Sequence, residues 1–256
     1  MKIFIISDNT WKSYENEIKS DTEIEITNKP EEAKKILILF RKDDKTMKYA
    51  LDYSSMYPEA DIFIKPMHDI VNNKSLIDLG RNIYFLLFNE KDVHLNDFRN
   101  ALSNKHVSHI DVKFRCNEPE ATIMPDILFN ELFLMYFLIG HDVFSGTNLR
   151  VTRNNNTIHV TFFNKRHSLT GSIYISRIGD YDERLEIFTL KDGNFVLTNP
   201  ISYRKIYFME RYGVSLLYLI KNTNQRWKYF QYDAVMAVSS KIKSVFRRTT
   251  SRNNGN

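Results

Sequence analysis

A single cysteine, Cys116, occurs in 256 residues. No intrachain disulfide can form, and a reducing, cytoplasmic setting is the expectation. Glycine is scarce, with 8 residues in all. No Gly-x-Gly-x-x-Gly or Walker pattern occurs, so close backbone approach to a pyrophosphate is unsupported. Long hydrophobic runs are also missing. The longest, "ILFNELFLMYFLIG" from Ile127 to Gly140, contains Glu131. It falls short of the roughly 20 residues that a spanning helix needs. A buried core helix is expected there instead. Ile3 to Ile6 is too short for the apolar core of a secretory leader, and charge returns at Asp8, so none is expected.

What the chain has is core-forming material. Hydrophobic residues make up 43%, with 18 Phe and 14 Tyr, and global disorder is excluded on that basis. The bias toward Ile, Asn, Lys and Phe suggests an AT-rich genome and points to a phage or mobile-element source.

Two patterns follow one another. Short apolar runs at Lys2–Ile6, Ile36–Phe40, Asp61–Ile64, Ile83–Phe88 and His109–Phe114 read as buried strands. Polar, helix-compatible stretches separate them. "TNKPEEAKK" places Pro30 and two glutamates at a helix start. "HLNDFRNALSNK" carries Leu95, Phe98 and Leu102 at helical spacing. This alternation predicts an α/β N-terminal half, a mostly parallel sheet with flanking helices. The periodicity breaks at residues 115–126. Beyond the apolar helix, five strand-like runs between Asn148 and Thr198 are joined by good turn chemistry. They predict an α+β C-terminal half with an antiparallel meander. Helical segments are expected at about Tyr203–Lys221 and Gln225–Lys243. The predicted organisation is a Rossmann-like domain over 1–118, an α+β domain over 119–240, and a basic, disordered tail over 241–256.

Charge is uneven. Residues 201–256 carry eleven Lys and Arg against Glu210 and Asp233, a net of +9, so the first 200 residues carry 5 − 9 = −4. Such asymmetry points to nucleic acid or another anionic partner. The candidate nucleic-acid contacts are Arg150, Arg153, Lys165, Arg166, Arg204, Lys205, Arg226, Lys228, Lys241, Lys243, Arg247 and Arg248. Trp227 joins them as a ring able to stack on a base. On the meander strands, Leu149, Val151, Ile158, Val160 and Phe162 face one way. Arg150, Thr152, His159 and Thr161 face the other, and that face is expected to be polar and basic.

Several short motifs bear on catalysis. "MKIFIISDNT" resembles the first strand of calcineurin-like metallophosphoesterases, where an Asp-x-His pair follows. Asp8-Asn9-Thr10 lacks the histidine, and the later Gly-Asp and Gly-Asn-His motifs are absent. The stretch reads as a strand end and helix cap, with Asp8 as a ligand the alternative. "DYSSMYP", Asp52 to Pro58, resembles motif A of family B DNA polymerases over seven residues only. "HIDVKFR", His109 to Arg115, puts Asp111 and Lys113 on one strand face. It resembles a half-motif of PD-(D/E)xK nucleases, which implies a carboxylate-held metal. His106, His109 and Asp111 could form a metal set. His68-Asp69 and His141-Asp142 resemble the pairs of HD phosphohydrolases. Those enzymes are all-helical, so the two pairs read as turn or cap residues.

The expectation is a nucleic-acid-binding accessory protein with no catalytic residue, metal or cofactor. The alternatives are a metal-dependent nuclease or nucleotide-processing enzyme, and an assembly factor meeting an acidic protein.

Overall fold

The structure is a computed structural model. It describes residues 1–8, 18–40, 43–64, 82–86, 93–115, 124–140, 146–180, 182–191, 193–198, 220–221 and 235–243. The chain forms two compact units. One comprises residues 1–89 with 213–235, the other 90–212 with 236–256.

The first unit is built on a five-stranded sheet. Its strands are β1 (Lys2–Ser7), β2 (Glu25–Ile26), β3 (Lys35–Leu39), β4 (Asp61–Ile64) and β5 (Ile83–Phe85). Their order is β2-β1-β3-β4-β5, and every pairing is parallel. The central strands are apolar at almost every position because both faces are covered. Ile36, Leu37, Ile38 and Leu39 of β3 are fully buried, as are Ile62 and Ile64 of β4. The α/β expectation for the N-terminal half is met.

Helix α1 (Asp43–Met56) connects β3 to β4. It turns Thr46, Ala50 and Ser54, at i, i+4 and i+8, inward as a buried stripe. Thr46 donates to the Phe40 carbonyl at 3.4 Å. Ser54 donates to Asn82 Oδ1 at 2.7 Å, and Asn82 Nδ2 donates to the Ala60 carbonyl at 2.7 Å. This buried amide satisfies backbone acceptors where the helix ends and β4 begins. "DYSSMYP" is therefore the last turn of α1 and its exit. The predicted helix start at Pro30 is a single 3-10 turn, Pro30–Glu32, which gives way to β3 within three residues.

The second unit holds a six-stranded mixed sheet. Its strands are β6 (Val107–Arg115), β7 (Thr147–Arg153), β8 (Thr157–Asn164), β9 (Leu169–Ser176), β10 (Asp182–Thr189) and β11 (Gly193–Thr198), in the order β11-β10-β6-β9-β8-β7. Two sequence expectations change here. His109–Phe114 was grouped with the strands of the first sheet, yet it lies in the second. The five later strands also do not form an unbroken meander. β6 inserts between β9 and β10, parallel to β9 and antiparallel to β10. The reason is in its pattern: Ile110, Val112 and Phe114 are buried and their neighbours half-exposed. That alternation suits a sheet covered on one face, whereas β3 is covered on two.

The inner face of this sheet meets helix α3 (Met124–Ile139), and α2 (Val93–Leu102) packs on α3 in turn. Enclosed between the two, α3 buries residues 131–138 without a polar face, Glu131 included. Arg99 of α2 lies 5.2 Å from the centroid of Phe137. Residues 235–243 are helical and bury Val238, Ser239 and Ile242. No helix among the described residues is long and apolar enough to cross a membrane.

One glycine in the second sheet has no tolerable replacement. Gly171 of β9 lies opposite Phe162 of β8, whose ring occupies the space a Cβ would need. The same Cβ would come within 2.6 Å of the Ile110 carbonyl oxygen. Because a backbone atom cannot move aside as a side chain can, Gly171→Ala should cost about 1–3 kcal/mol. A lowered urea midpoint with an unchanged m-value would show it; an unchanged midpoint would contradict the packing described.

Candidate functional site

In an open parallel sheet, ligands bind beyond the carboxyl ends of the strands, where the winding direction reverses. For the order 2-1-3-4-5 that place lies between β1 and β3. β1 and β3 pair in register from Ile3↔Lys35 to Ser7↔Leu39. Asp8, the first residue past β1, donates its backbone N–H to the Leu39 carbonyl at 3.4 Å. The corner therefore begins with Ser7 and Asp8 on one strand and Leu39 and Phe40 on the other. Phe40 stacks on Tyr49 of α1 at a centroid distance of 5.1 Å, and Lys45 Nζ lies 5.7 Å from the Phe40 ring. Tyr49, Tyr53 and Tyr57 continue along the helix as an aromatic ladder, with Phe4 stacked on Tyr53.

The neighbouring strand end completes the edge. Thr27, just past β2, is nearly buried and takes the Lys29 backbone N–H at 3.1 Å. Lys29 is itself paired with Glu32 at 3.1 Å. A dinucleotide site of the glycine-rich kind needs glycines in the first strand-to-helix turn and an acid at the end of the second strand, about 20 residues on, for the ribose. This chain has no glycine before Gly80, an acid at Asp8, and Thr27-Asn28-Lys29 after β2. Its residues do not fit that grip.

At the opposite, amino end of the sheet lies a cavity of about 640 Å³, lined by Glu31, Lys35, Met56 and Asp61 among others. Lys35 donates to the Ile220 carbonyl and stands 3.8 Å from Asp61. Burial draws its ammonium below the usual lysine range, with Asp61 opposing the shift. Lys221 holds Asp21 at 2.7 Å and Glu23 at 2.8 Å. These contacts tie residues 220–221 to the strands of the first unit, which is an anchoring role.

Those predicted nucleic-acid contacts that lie among the described residues fall on three separate elements. Arg150 and Arg153 are exposed on β7, Lys165 and Arg166 are exposed in the turn after β8, and Lys241 and Lys243 are half-exposed on the helix at 235–243. Arg204, Lys205, Arg226, Trp227, Lys228, Arg247 and Arg248 lie outside the described residues, as do both His-Asp pairs. The expected alternation on β7 and β8 is present, but their polar face is not uniformly basic. Across the sheet, Arg150 shares a row with Thr161, Ser172, Asp111 and Glu186. Lys113 and Arg115 both pair with Asp182, at 3.0 and 2.8 Å, and Arg184 pairs with Glu186. Asp111 takes a hydrogen bond from Ser172. His109 bonds Thr170 at 2.8 Å. No group of three His, Cys, Asp or Glu capable of holding a metal occurs among the described residues; the acid in register with Asp111 is Glu186, which pairs with Arg184.

Comparison with known proteins gives the fold. No protein-family profile matches the chain, and no curated protein matches it. Solved structures match over nearly its whole length. An inferred myo-inositol dehydrogenase from Sinorhizobium meliloti 1021 superposes with a TM-score of 0.69 at 13% identity, covering 98% of this chain and 97% of that one. The myo-inositol dehydrogenase from Lactobacillus casei, in complex with NAD(H) and myo-inositol, gives 0.56 at 12%, covering 93% and 91%. A Gfo/Idh/MocA family oxidoreductase from Vibrio cholerae gives 0.59 at 7%, covering 98% and 99%. At these identities the likeness defines architecture: a Rossmann-like parallel sheet followed by a mixed sheet.

The nucleic-acid-binding expectation is overturned by these superpositions, and the viral source goes with it. Among the described residues, the predicted contacts lie on separate elements: β7, the turn after β8 and the helix at 235–243. The polar face of the mixed sheet also carries acids among its cations, with Lys113 and Arg115 on Asp182 and Arg184 on Glu186.

Sequence reasoning picked out Asp8 as the strand-end alternative and missed Phe40, Lys45 and Tyr49. The available signal was the buried strand Ile36–Phe40 running into a polar stretch with tyrosines four residues apart.

The ion cluster on β6 and β10 has a pH signature. Hydrogen bonds from Lys113 and then Arg115 hold the Asp182 carboxyl below the usual carboxylate range. A depressed folded value stabilises the fold above the unfolded pKa of about 3.9, and that contribution is lost as pH falls through the folded value. Asp182→Asn should lower the urea midpoint at pH 6, and the gap from the parent should close below about pH 4. A gap that stayed constant with pH would contradict the ion pairing.

Proposed function

We propose that the chain is an oxidoreductase of the nicotinamide-dinucleotide class, with a polyhydroxylated ring compound as substrate. The parallel-sheet unit serves as the nucleotide half and the mixed-sheet unit as the substrate half. One observation carries this reading: the likeness runs through both units, at 98% and 97% coverage in the first comparison above. A parallel sheet alone is shared by many unrelated activities. The second unit, with β6 set between β9 and β10, narrows the class. The neighbours' names supply the substrate class, since they include myo-inositol dehydrogenases and a UDP-N-acetylglucosamine 3-dehydrogenase from Acidithiobacillus ferrooxidans.

The glycine-free corner limits what the nucleotide half can do. Without close backbone approach, a dinucleotide is held by its ends rather than by its pyrophosphate. Titration with NADH and with NADPH, followed by their fluorescence, should give saturable but weak binding, with Kd on the order of 0.1–1 mM. Reduction of NAD or NADP in the presence of myo-inositol or UDP-N-acetylglucosamine, read at the nicotinamide absorbance band, tests the substrate side. Absence of saturable binding to either dinucleotide would refute the reading.

A further inference from the structure

We infer that the switch-point crevice is built for one nucleotide, so that the nicotinamide mononucleotide half of a cofactor carries the binding and the adenosine half adds little. This inference rests on the dinucleotide reading and names the part of that ligand the sheet can grip. The strand ends decide it. β1, β3, β4 and β5 finish within a residue of level: Ser7 pairs with Leu39, Ile38 with Ile64, and Ile64 with Phe85. β2 stops far lower. It pairs only with Lys2 and Ile3 of β1, and the Thr27 N–H donating to the Ile3 carbonyl at 3.0 Å closes its ladder. From Ile3, β1 runs on to Ser7, a distance of about 13 Å at the usual rise per residue.

The chain beyond β2 turns back toward the amino end, and all of this connection is among the described residues. Thr27 Oγ1 accepts the Lys29 N–H at 3.1 Å, and Pro30–Glu32 make a single 3-10 turn. The Lys34 N–H then reaches the Lys2 carbonyl at 3.1 Å, beside the start of β1. The acids of the connection go with it. Glu31 and Glu32 line the cavity at the amino end, and Glu32 pairs with Lys2 at 2.6 Å. The upper part of β1 is left with less cover: Phe4, Ile5 and Ile6 are half-buried, whereas Ile36 to Leu39 of β3 are fully buried.

In the dinucleotide fold, two mononucleotide halves flank the switch point. The half made by the first two strands takes the adenosine, because an acid at the end of the second strand bonds the ribose that bears the 2′-phosphate in NADP. In this chain that half ends about 13 Å short, and β2 is the edge of the sheet among the described strands. The half on the β3 side reaches the crevice in full. A sheet of order 2-1-3-4-5 holds a mononucleotide at this same switch point. An adenosine ribose placed across β1 therefore meets no carboxylate from residues 25–34. Such a carboxylate is worth at least about tenfold in affinity and repels a 2′-phosphate.

The test measures binding of NADH, NADPH and reduced nicotinamide mononucleotide to the full chain by nicotinamide fluorescence. The three Kd values should agree to better than about tenfold. ADP-ribose, added at about ten times the NADH Kd, should displace less than half of the bound NADH. Asn28→Asp adds an acid to the exposed turn after β2, and a melt close to that of the parent shows that it folds. A charge about 10 Å off, screened by 0.15 M salt, shifts affinity for a phosphate dianion by less than about threefold. The NADH-to-NADPH ratio of Asn28→Asp should stay within that limit. NADH binding tenfold or more tighter than the mononucleotide would overturn the inference and leave the dinucleotide reading standing. Displacement of most of the NADH by ADP-ribose, or a larger shift in Asn28→Asp, would do the same. If none of the three nicotinamide nucleotides binds, the inference and the reading beneath it fall together.

Discussion

The parallel pairing of β1 with β3 is the constraint on which the first unit depends. β1 carries β2 on its other side, and β3 passes the sheet on to β4 and β5. Chain direction along the sheet reverses at this pair, so no connection crosses its carboxyl end. A crevice is left there by topology alone. The pairing also explains composition. β3 is enclosed by β1 and β4 at its edges and covered on both faces, so Ile36 to Leu39 can all be apolar. Lys35 is the exception. It sits where β3 starts, and its ammonium is satisfied by the Ile220 carbonyl and by Asp61. The two ends of one strand thus do different work: the amino end anchors a distant segment, and the carboxyl end walls the crevice with Phe40.

The second unit depends on the corresponding placement of β6. Its pairing with β9 is the one parallel pairing among the described strands of that sheet, and β6 separates β9 from β10. One face of the sheet is sealed by α3. The other exposes rows in which hydroxyls, rings and both signs of charge alternate from strand to strand. Gly171 shows how tightly the sealed side is fitted, because the Phe162 ring lies across it.

Much of this architecture was legible in the chain. The buried strands of the first sheet announce themselves as continuous apolar runs, and the α3 helix as the one long apolar stretch. The later hairpins are marked by "NNN" and "NKRHSLT". What was not legible is adjacency. "HIDVKFR" follows four buried strands in sequence, and counting it with them was natural. Its alternating burial was the contrary signal, but alternation alone does not say which sheet a strand joins. Helix α1 was similarly obscured, because its inward face is Thr46, Ala50 and Ser54 rather than a leucine stripe. Small and hydroxyl-bearing residues suit close approach to a sheet, yet in the sequence they show only as a polar, helix-compatible stretch.

The charge argument failed for a related reason, and its failure bears on the site. A net of +9 over the last 56 residues is a property of composition, whereas binding depends on which charges share a surface. Along the open face of the mixed sheet, Lys113 and Arg115 meet Asp182, and Arg184 meets Glu186. Strand register, which no sum reveals, brings Asp182 opposite Arg115 and next to Lys113 on the neighbouring strand. The same consideration gives weight to a single acid at the other end of the chain. Asp8 is one charge among 31 acids, but backbone pairing places it at the one corner that the topology leaves open. The residues that decide function in this fold are therefore found by following strand ends before counting charge.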